Sequence, residues 1–324
     1  MAQLTPSTST TVRSHSPRLG PKAPPAAGAA PPRLRAMRAG FQLLGTWAPG
    51  VATRIAEHVF RTPPRPKIRK SESNALLFAD EIKVELGTER IPTWSFGEGP
   101  TIVLVHGWGG RGMQLRSFIE PLVRRGYRVV LFDAPGHGAS RSRLSSLPEV
   151  AAATRAVVDA VGPVHAVIAH SMGGPATVLA MQAGAEIERL ALIAPPTDMG
   201  QVTHRFARFL HIPERVRDGL QRSIERRFLR KLTDLELVPI ARRMTQPLLV
   251  VHDRDDRDVP FEEGASLARA WRGARLVETS GLGHTRILRD AGTIEEVVEF
   301  VDEHAASFPR LAAPLYLPAS RSLG

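Results

Sequence analysis

The run Ala169-His170-Ser171-Met172-Gly173-Gly174 sets one serine between an apolar stretch, VHAVIA, and a segment of helical composition. A serine on a sharp strand-to-helix turn projects its hydroxyl above the sheet edge. The residues two before and two after it must be small, because strand and helix backbones converge there. This is a nucleophile elbow of the type G-x-S-x-G, with Ala169 in the first glycine position and Gly173 in the last. A hydroxyl is a weak nucleophile at neutral pH, so it needs a general base, and the base needs a carboxylate to orient it. After a serine of this kind the acid and then the histidine follow along the chain. Five histidines lie beyond Ser171: His204, His211, His252, His284 and His304. His284, in Ser280-Gly281-Leu282-Gly283-His284-Thr285, falls in a glycine-rich loop just past the last expected strand and is the candidate base. The other four read as structural or solvated. His106, His137 and His170 precede or abut the serine, and the chain order argues against them.

The acid is sought in His252-Asp253-Arg254-Asp255-Asp256-Arg257-Asp258-Val259-Pro260. The chain must leave a strand here, turn, and enter a helix near Pro260. Asp256, three residues before Val259, stands at the apex of that turn and is the first choice; Asp253 and Asp255 are the alternates. Asp258 is close enough to the helix start to interact with its N-terminus. Attack on a carbonyl also creates an oxyanion, which two preorganised N–H donors stabilise. The Met172 amide, directly after the serine, is one candidate. The second is the Trp108 amide in His106-Gly107-Trp108-Gly109-Gly110, where glycines let the backbone turn inward.

These residues need a scaffold that brings distant segments to one edge. Residues 82–86 and 92–96 fit a hairpin. TIVLV (101–105), RVVLF (128–132), VHAVIA (164–169) and LLVV (248–251) are continuous apolar runs, as expected of strands covered on both faces. Further strands fit 189–193 and 275–279. Helices fit 113–125, 147–161, 173–183, 261–271 and 293–308. Alternation of this kind predicts an α/β architecture with a mostly parallel sheet and right-handed crossovers, whose chemistry lies at the carboxyl ends of the strands. Residues 197–245 break the alternation. They hold helical, Arg-rich stretches with eleven bases against six acids, and read as a helical lid inserted between two core strands. That excess of base favours anionic acyl groups over cationic substrates.

The chain has 324 residues, 43% hydrophobic and 23% charged, ordinary for a globular protein. Its formal net charge of +11 is confined to residues 1–70, which carry twelve Lys/Arg and one acid, Glu57. The remainder holds thirty-one of each sign, so a nucleic-acid footprint on the folded body is not expected. The absence of cysteine excludes disulfides, thiolate metal sites and a cysteine nucleophile. Residues 1–32 read as a disordered leader rich in Pro, Ala and Ser, with no secretory apolar run. Residues 33–70 form a basic amphipathic segment and linker. Leu34, Met37, Phe41, Leu44 and Trp47, then Val51, Ile55 and Val59, recur at helical spacing around Pro49-Gly50. A pair of short helices packed on the main domain accounts for them. The sharper reading is a peripheral contact with anionic membrane, aided by Arg33, Arg35, Arg38 and Arg54. Residues 62–70, TPPRPKIRK, look like an extended, solvated linker. The main domain spans 71–310 and a tail 311–324. The expected location is cytoplasmic.

The blocks HGWGG (106–110), FDAPGHGAS (132–140), AHSMGG (169–174), DRDDRDVP (253–260) and GLGHTRIL (281–288) resemble, in order, signature segments of the α/β-hydrolase superfamily. The resemblance covers about residues 80–305. It implies an eight-stranded sheet, a Ser171–Asp256–His284 triad, oxyanion donors at Trp108 and Met172, and a lid at 197–245 between strands 6 and 7. Asp133 and Gly136–Gly138 match a block that is structural in relatives. The departures are Ala169 at the elbow and Asp253 where many relatives carry glycine. Serine at the elbow, where dehalogenases and epoxide hydrolases of this architecture carry Asp, points to acyl transfer on a small-molecule carboxylester or thioester. No cofactor and no metal is called for. The competing readings are a non-catalytic ligand-binding protein on a hydrolase scaffold and a membrane-associated lipid hydrolase.

Overall fold

The computed structural model describes residues 31–303. The expected leader up to Ala30, the tail 311–324, the end of the helix expected over 293–308, and His304 lie outside the described residues. The chain opens with α1 (Pro32–Trp47) and α2 (Pro49–Phe60), separated by Ala48, whose φ of −142° leaves the helical region. Pro49 starts α2 at the position where a missing N–H is no loss. Residues 62–69 have no regular structure and lead into α3 (Lys70–Leu76).

The sheet strands are β1 (Asp80–Leu86), β2 (Glu89–Phe96), β3 (Thr101–Val105), β4 (Arg128–Phe132), β5 (Val164–His170), β6 (Ile187–Ile193), β7 (Leu248–Asp253) and β8 (Arg275–Thr279). They lie in the order β1-β2-β4-β3-β5-β6-β7-β8. β2 pairs antiparallel with β1 and with β4, and all other neighbours are parallel. Every residue of β3, β5 and β7 is buried, which explains their unbroken apolar character. Successive residues serve opposite cores. Val103, Val105, Val130, Phe132, Val167 and Leu192 join the cluster on one face, while Ile102, Leu104, Val129, Leu131 and Ile168 join the other.

Between strands lie α4 (Ile119–Arg124), α5 (Leu147–Val161) and α6 (Gly173–Gln182), then the insertion of α7 (Met199–Phe209), α8 (Glu214–Phe228) and α9 (Leu237–Ala241) between β6 and β7. α10 (Phe261–Ala270), α11 (Gly283–Arg286) and α12 (Ala291–Asp302) complete the chain. The single helix expected over 113–125 is instead a 3₁₀ stretch, Gly112–Phe118, followed by the short α4. Pro121 supplies the reason: it has no N–H to bond one turn back, so an α-helix cannot run through it unbroken.

α2 lies on α8. Gly219 in α8 allows the approach, since a β-carbon there would come within 2.5 Å of Thr53 Oγ1. Glu57, 7% exposed, takes hydrogen bonds from Ser223 Oγ at 2.6 Å and Arg227 Nε at 2.6 Å. α1 is tied to the same insertion by Arg38 Nε, which donates to the Phe209 carbonyl at 2.9 Å, and by Arg215, which donates to the Gly45 and Thr46 carbonyls. Phe41, Ala52 and Ala56 share one core with Val216 and Leu220 of the insertion.

The charged run 62–70 is not simply solvated. Arg65 donates to the carbonyls of Gly136 at 2.9 Å, His137 at 3.3 Å and Ser140 at 2.5 Å. Glu72, 3% exposed, is clamped between Arg111 and Arg116. Residues 61–76 thus form a strap from the insertion-bound helices to the loop after β3.

Candidate active site

β5 ends at His170, and Ser171 makes the turn into α6 with φ of +51°, left-handed backbone that a non-glycine residue adopts at a cost. Its N–H donates to the Ile193 carbonyl at 2.9 Å, pinning the turn to the end of β6. Small neighbours are a steric necessity. A β-carbon on Gly173 would lie 2.5 Å from the Val105 carbonyl oxygen, and one on Gly107 would lie 2.8 Å from Ser171 Cβ. Ala169, fully buried beside Val105 and Leu192, fits where the sequence pattern asks for glycine.

β8 delivers the chain to α11, so that the imidazole of His284 reaches Ser171: Nε2 and Oγ are 2.9 Å apart. The expected loop around His284 closes as a short helical turn. His284 Nδ1 lies 2.7 Å from Asp256 Oδ2. The turn after β7 holds this carboxylate firmly, since Oδ1 accepts the Asp258 amide at 2.8 Å and the Val259 amide at 2.9 Å. Burial works against its charge. Hydrogen bonding by His252 and His284 and from the Val259 amide outweighs that, and keeps Asp256 well below the usual carboxylate range.

The two alternates face elsewhere. Asp253 Oδ2 accepts from Thr279 Oγ1 at 2.7 Å and the Leu282 amide at 3.0 Å, while its Oδ1 takes the Asp255 amide at 2.9 Å. Asp255 Oδ2 accepts the Gly281 amide at 2.8 Å. Both carboxylates therefore shape the loop that carries His284. Asp133, set aside as structural, bonds the Gly112 amide at 2.8 Å and the Ala139 amide at 2.7 Å.

Two supporting histidines escaped the sequence reading as such. His252 Nε2 lies 3.5 Å from Asp256 Oδ2 and 3.1 Å from the Val259 carbonyl. His170 Nε2 lies 2.9 Å from the His284 carbonyl oxygen, so Nε2 carries the proton and donates, and the two rings sit 4.8 Å apart. Burial first, then the nearness of His284, pushes His170 down to about 3, so it stays neutral beside the candidate base. The one available signal was position: His252 ends an apolar strand four residues before Asp256, and His170 abuts the serine.

The loop after β3 sits directly over the elbow through Gly107. Neither the Trp108 amide nor the Met172 amide has a protein acceptor among the described residues. The Trp108 indole packs edge-on against His137, with centroids 5.2 Å apart. His106 Nδ1 is 2.8 Å from the Gly107 carbonyl and its Nε2 accepts the Ala134 amide at 3.1 Å, which defines a neutral ring protonated on Nδ1. Burial pushes it down to about 4. Asp256, Asp258 and His284 also bring one ligand atom each within 4.8 Å of one another. The Asp256 oxygens and His284 Nδ1 are already engaged with each other and with backbone amides, which leaves a cation few free lone pairs there.

A mostly parallel eight-stranded sheet with a serine on a strained βα turn defines a class, and sequence comparison agrees. The chain belongs to the alpha/beta hydrolase family, whose pattern it matches over residues 102–297. It is 27% identical over 234 residues to a pimeloyl-[acyl-carrier protein] methyl ester esterase of Nitrosomonas europaea, spanning 59% of this chain and 91% of that protein. It is also 27% identical over 238 residues to a 2-hydroxy-6-oxononadienedioate/2-hydroxy-6-oxononatrienedioate hydrolase of Dechloromonas aromatica, spanning 57% and 80%. The solved structure of an esterase from Pyrococcus furiosus superposes with a TM-score of 0.57 at 20% identity, covering 75% of this chain and 98% of that one, a likeness of fold. The expected fold and the expected class, an esterase-like hydrolase of this family, both hold.

Proposed function

We propose that this protein is a serine hydrolase that cleaves a small-molecule carboxylester or thioester through an acyl-enzyme. The observation that carries the reading is the single imidazole of His284 bridging Ser171 Oγ at 2.9 Å and Asp256 at 2.7 Å. In the first half-reaction Ser171 Oγ attacks the carbonyl carbon while its proton passes to His284 Nε2. Asp256 holds the ring with Nδ1–H toward itself and stabilises the imidazolium. The tetrahedral oxyanion takes hydrogen bonds from the Trp108 and Met172 amides. Collapse breaks the C–O or C–S bond, and the leaving group takes the proton from Nε2. Water then repeats the sequence on the acyl-serine and regenerates Ser171. The chemistry calls on no metal or cofactor, and the 197–245 insertion serves as a lid at the carboxyl ends of the strands.

The test is labelling with a fluorophosphonate probe. The full-length chain is expected to label, and Ser171→Ala to lose labelling and ester turnover together. A wild-type protein that does not label would leave the non-catalytic scaffold reading in possession.

A specific surface favours membrane association as a second feature of the same cytoplasmic enzyme. Leu43, Trp47, Val51 and Ile55 on α1 and α2 are 63%, 81%, 43% and 40% exposed, with Arg33, Arg35 and Arg54 exposed on the same helices. Apolar side chains beside cations suit an anionic bilayer surface. No helix among the described residues is long and apolar enough to cross a membrane. Full-length protein should float with vesicles containing anionic lipid, and Trp47→Ser with Leu43→Ser should stay in solution. Equal flotation of both removes this feature.

A further inference from the structure

A cleft of about 310 Å³ has a wall that includes Lys67, Arg69, Arg111, Gln114 and Arg289 with the backbone of Gly109–Gly110. Its place follows from the topology. Gly109 and Gly110 belong to the loop after β3 that carries Trp108, and Arg289 follows His284 by five residues in the segment after β8. Both segments leave the carboxyl ends of parallel strands, the sheet edge that also carries Ser171 and His284, and the cleft shares the loop of Trp108 through Gly109 and Gly110, although neither Ser171 nor His284 lines it. The strap supplies its far wall and fixes it there. A β-carbon on Gly109 would meet Pro64 Cγ at 2.7 Å, the mark of direct packing between loop and strap.

The charge balance of the cleft is one-sided. Glu72, its only acid, is 3% exposed and fully engaged by Arg111 and Arg116. Arg111 Nη1 also donates to the Pro66 carbonyl at 3.4 Å. That leaves the side chains of Lys67, Arg69 and Arg289, none of which has a carboxylate partner among the described residues. Three unpaired cations around one concavity repel each other and attract a multivalent or carboxylate anion. Gln114 Oε1 is buried behind this wall, against Gly110, with no hydrogen-bond partner among the described residues.

Part of the insertion's basic charge is engaged within the fold. Arg205 is paired with Glu263, Arg217 with Asp218 and Glu214, Arg227 with Glu57, and Arg215 donates to backbone carbonyls of α1. The charge of those arginines holds the molecule together.

We propose that the cleft of Lys67, Arg69 and Arg289 is a substrate subsite that takes an anionic group, carboxylate or phosphate, carried by the ester or thioester at a distance from the scissile bond. This deepens the serine-hydrolase reading and rests on it. The charge can come from two sources: the acid end of the acyl group, or the phosphate of a carrier joined as thioester. Monomethyl and dimethyl esters of straight-chain dicarboxylic acids form one matched pair. Acyl-coenzyme A and the corresponding acyl-N-acetylcysteamine form the other.

The full-length enzyme is expected to prefer the anionic member of at least one pair. In Lys67→Gln/Arg69→Gln/Arg289→Gln, all surface positions, KM for that member should rise about tenfold, with kcat and the neutral member unchanged. Which pair responds identifies the source of the charge. A triple variant that alters charged and neutral members alike, or neither, overturns the subsite. Fluorophosphonate labelling of the same preparations separates the two levels. Enzyme that labels at Ser171 but shows no charge preference loses only the subsite, whereas enzyme that does not label loses the reading beneath it.

Discussion

A left-handed φ of +51° at Ser171, two amide bonds to Asp256 Oδ1, and a neutral His170 beneath the His284 carbonyl together fix three side chains to within hydrogen-bond distance. Four aspartates crowd residues 253–258, and only the turn decides which one faces the imidazole. Spacing made Asp256 the first choice and kept Asp253 and Asp255 open. The hydrogen-bond network assigns each a different place, and it depends on Thr279, Gly281 and Leu282, some two dozen residues further on. Asp256→Asn should therefore lower kcat by about four orders of magnitude, as expected when a histidine loses the carboxylate that sets its tautomer. Asp255→Asn should stay within a few-fold of wild type. Steady-state rates on one ester check both, and a larger loss at 255 than at 256 would reverse the assignment. His252 was legible only as a strand-end histidine, structural or solvated, because its nearness to Asp256 arises from how the turn folds back.

Strands with both faces covered are written plainly in the chain, and TIVLV, RVVLF, VHAVIA and LLVV each became a core strand. Ser146 capping α5 and Asp290 capping α12 are equally local signals. The strap was not legible. Arg65 finds its carbonyls more than seventy residues away, and Glu72 finds Arg111 and Arg116 about forty away, so no local pattern marks either. Prolines and charges alone read as linker. Because Glu72 is nearly dry, Glu72→Gln leaves the 12%-exposed Arg111 without a counter-charge at the base of the loop that bears Trp108. The expected cost is about 3 kcal/mol. Urea unfolding measures it, and a change within experimental error would mean that the strap is not a structural clamp.

At the scale of the whole molecule, three buried histidines govern behaviour in acid. Burial is the leading cause that lowers His106 to about 4, and His137 and His170 to about 3, from 6.5. Between pH 6.5 and 4 the unfolded chain takes up protons that the folded chain refuses. Stability therefore falls as pH falls, by up to roughly 1.4 kcal/mol per pH unit for each histidine. Asp256 acts in a lower window: its folded carboxylate is held below its ordinary value, so its support is complete at neutral pH, fades as pH falls below the ordinary carboxylate value and is gone once pH has passed through the depressed one. Thermal unfolding followed by circular dichroism should show a melting temperature that declines from about pH 6.5 downward. A flat profile from pH 7 to pH 5 would contradict it.

The seating of α8 on α2 has a further consequence for protein engineering. Helical insertions are the natural cassette for exchanging specificity between members of a fold family. Here the cassette has its dock elsewhere in the chain, in Phe41, Ala52, Ala56 and Glu57. A foreign segment grafted over 197–245 would arrive facing a groove cut for Gly219 and would strand Glu57 without its arginine. Any chimaera built on this scaffold has to transplant residues 32–60 together with the insertion, as one non-contiguous part.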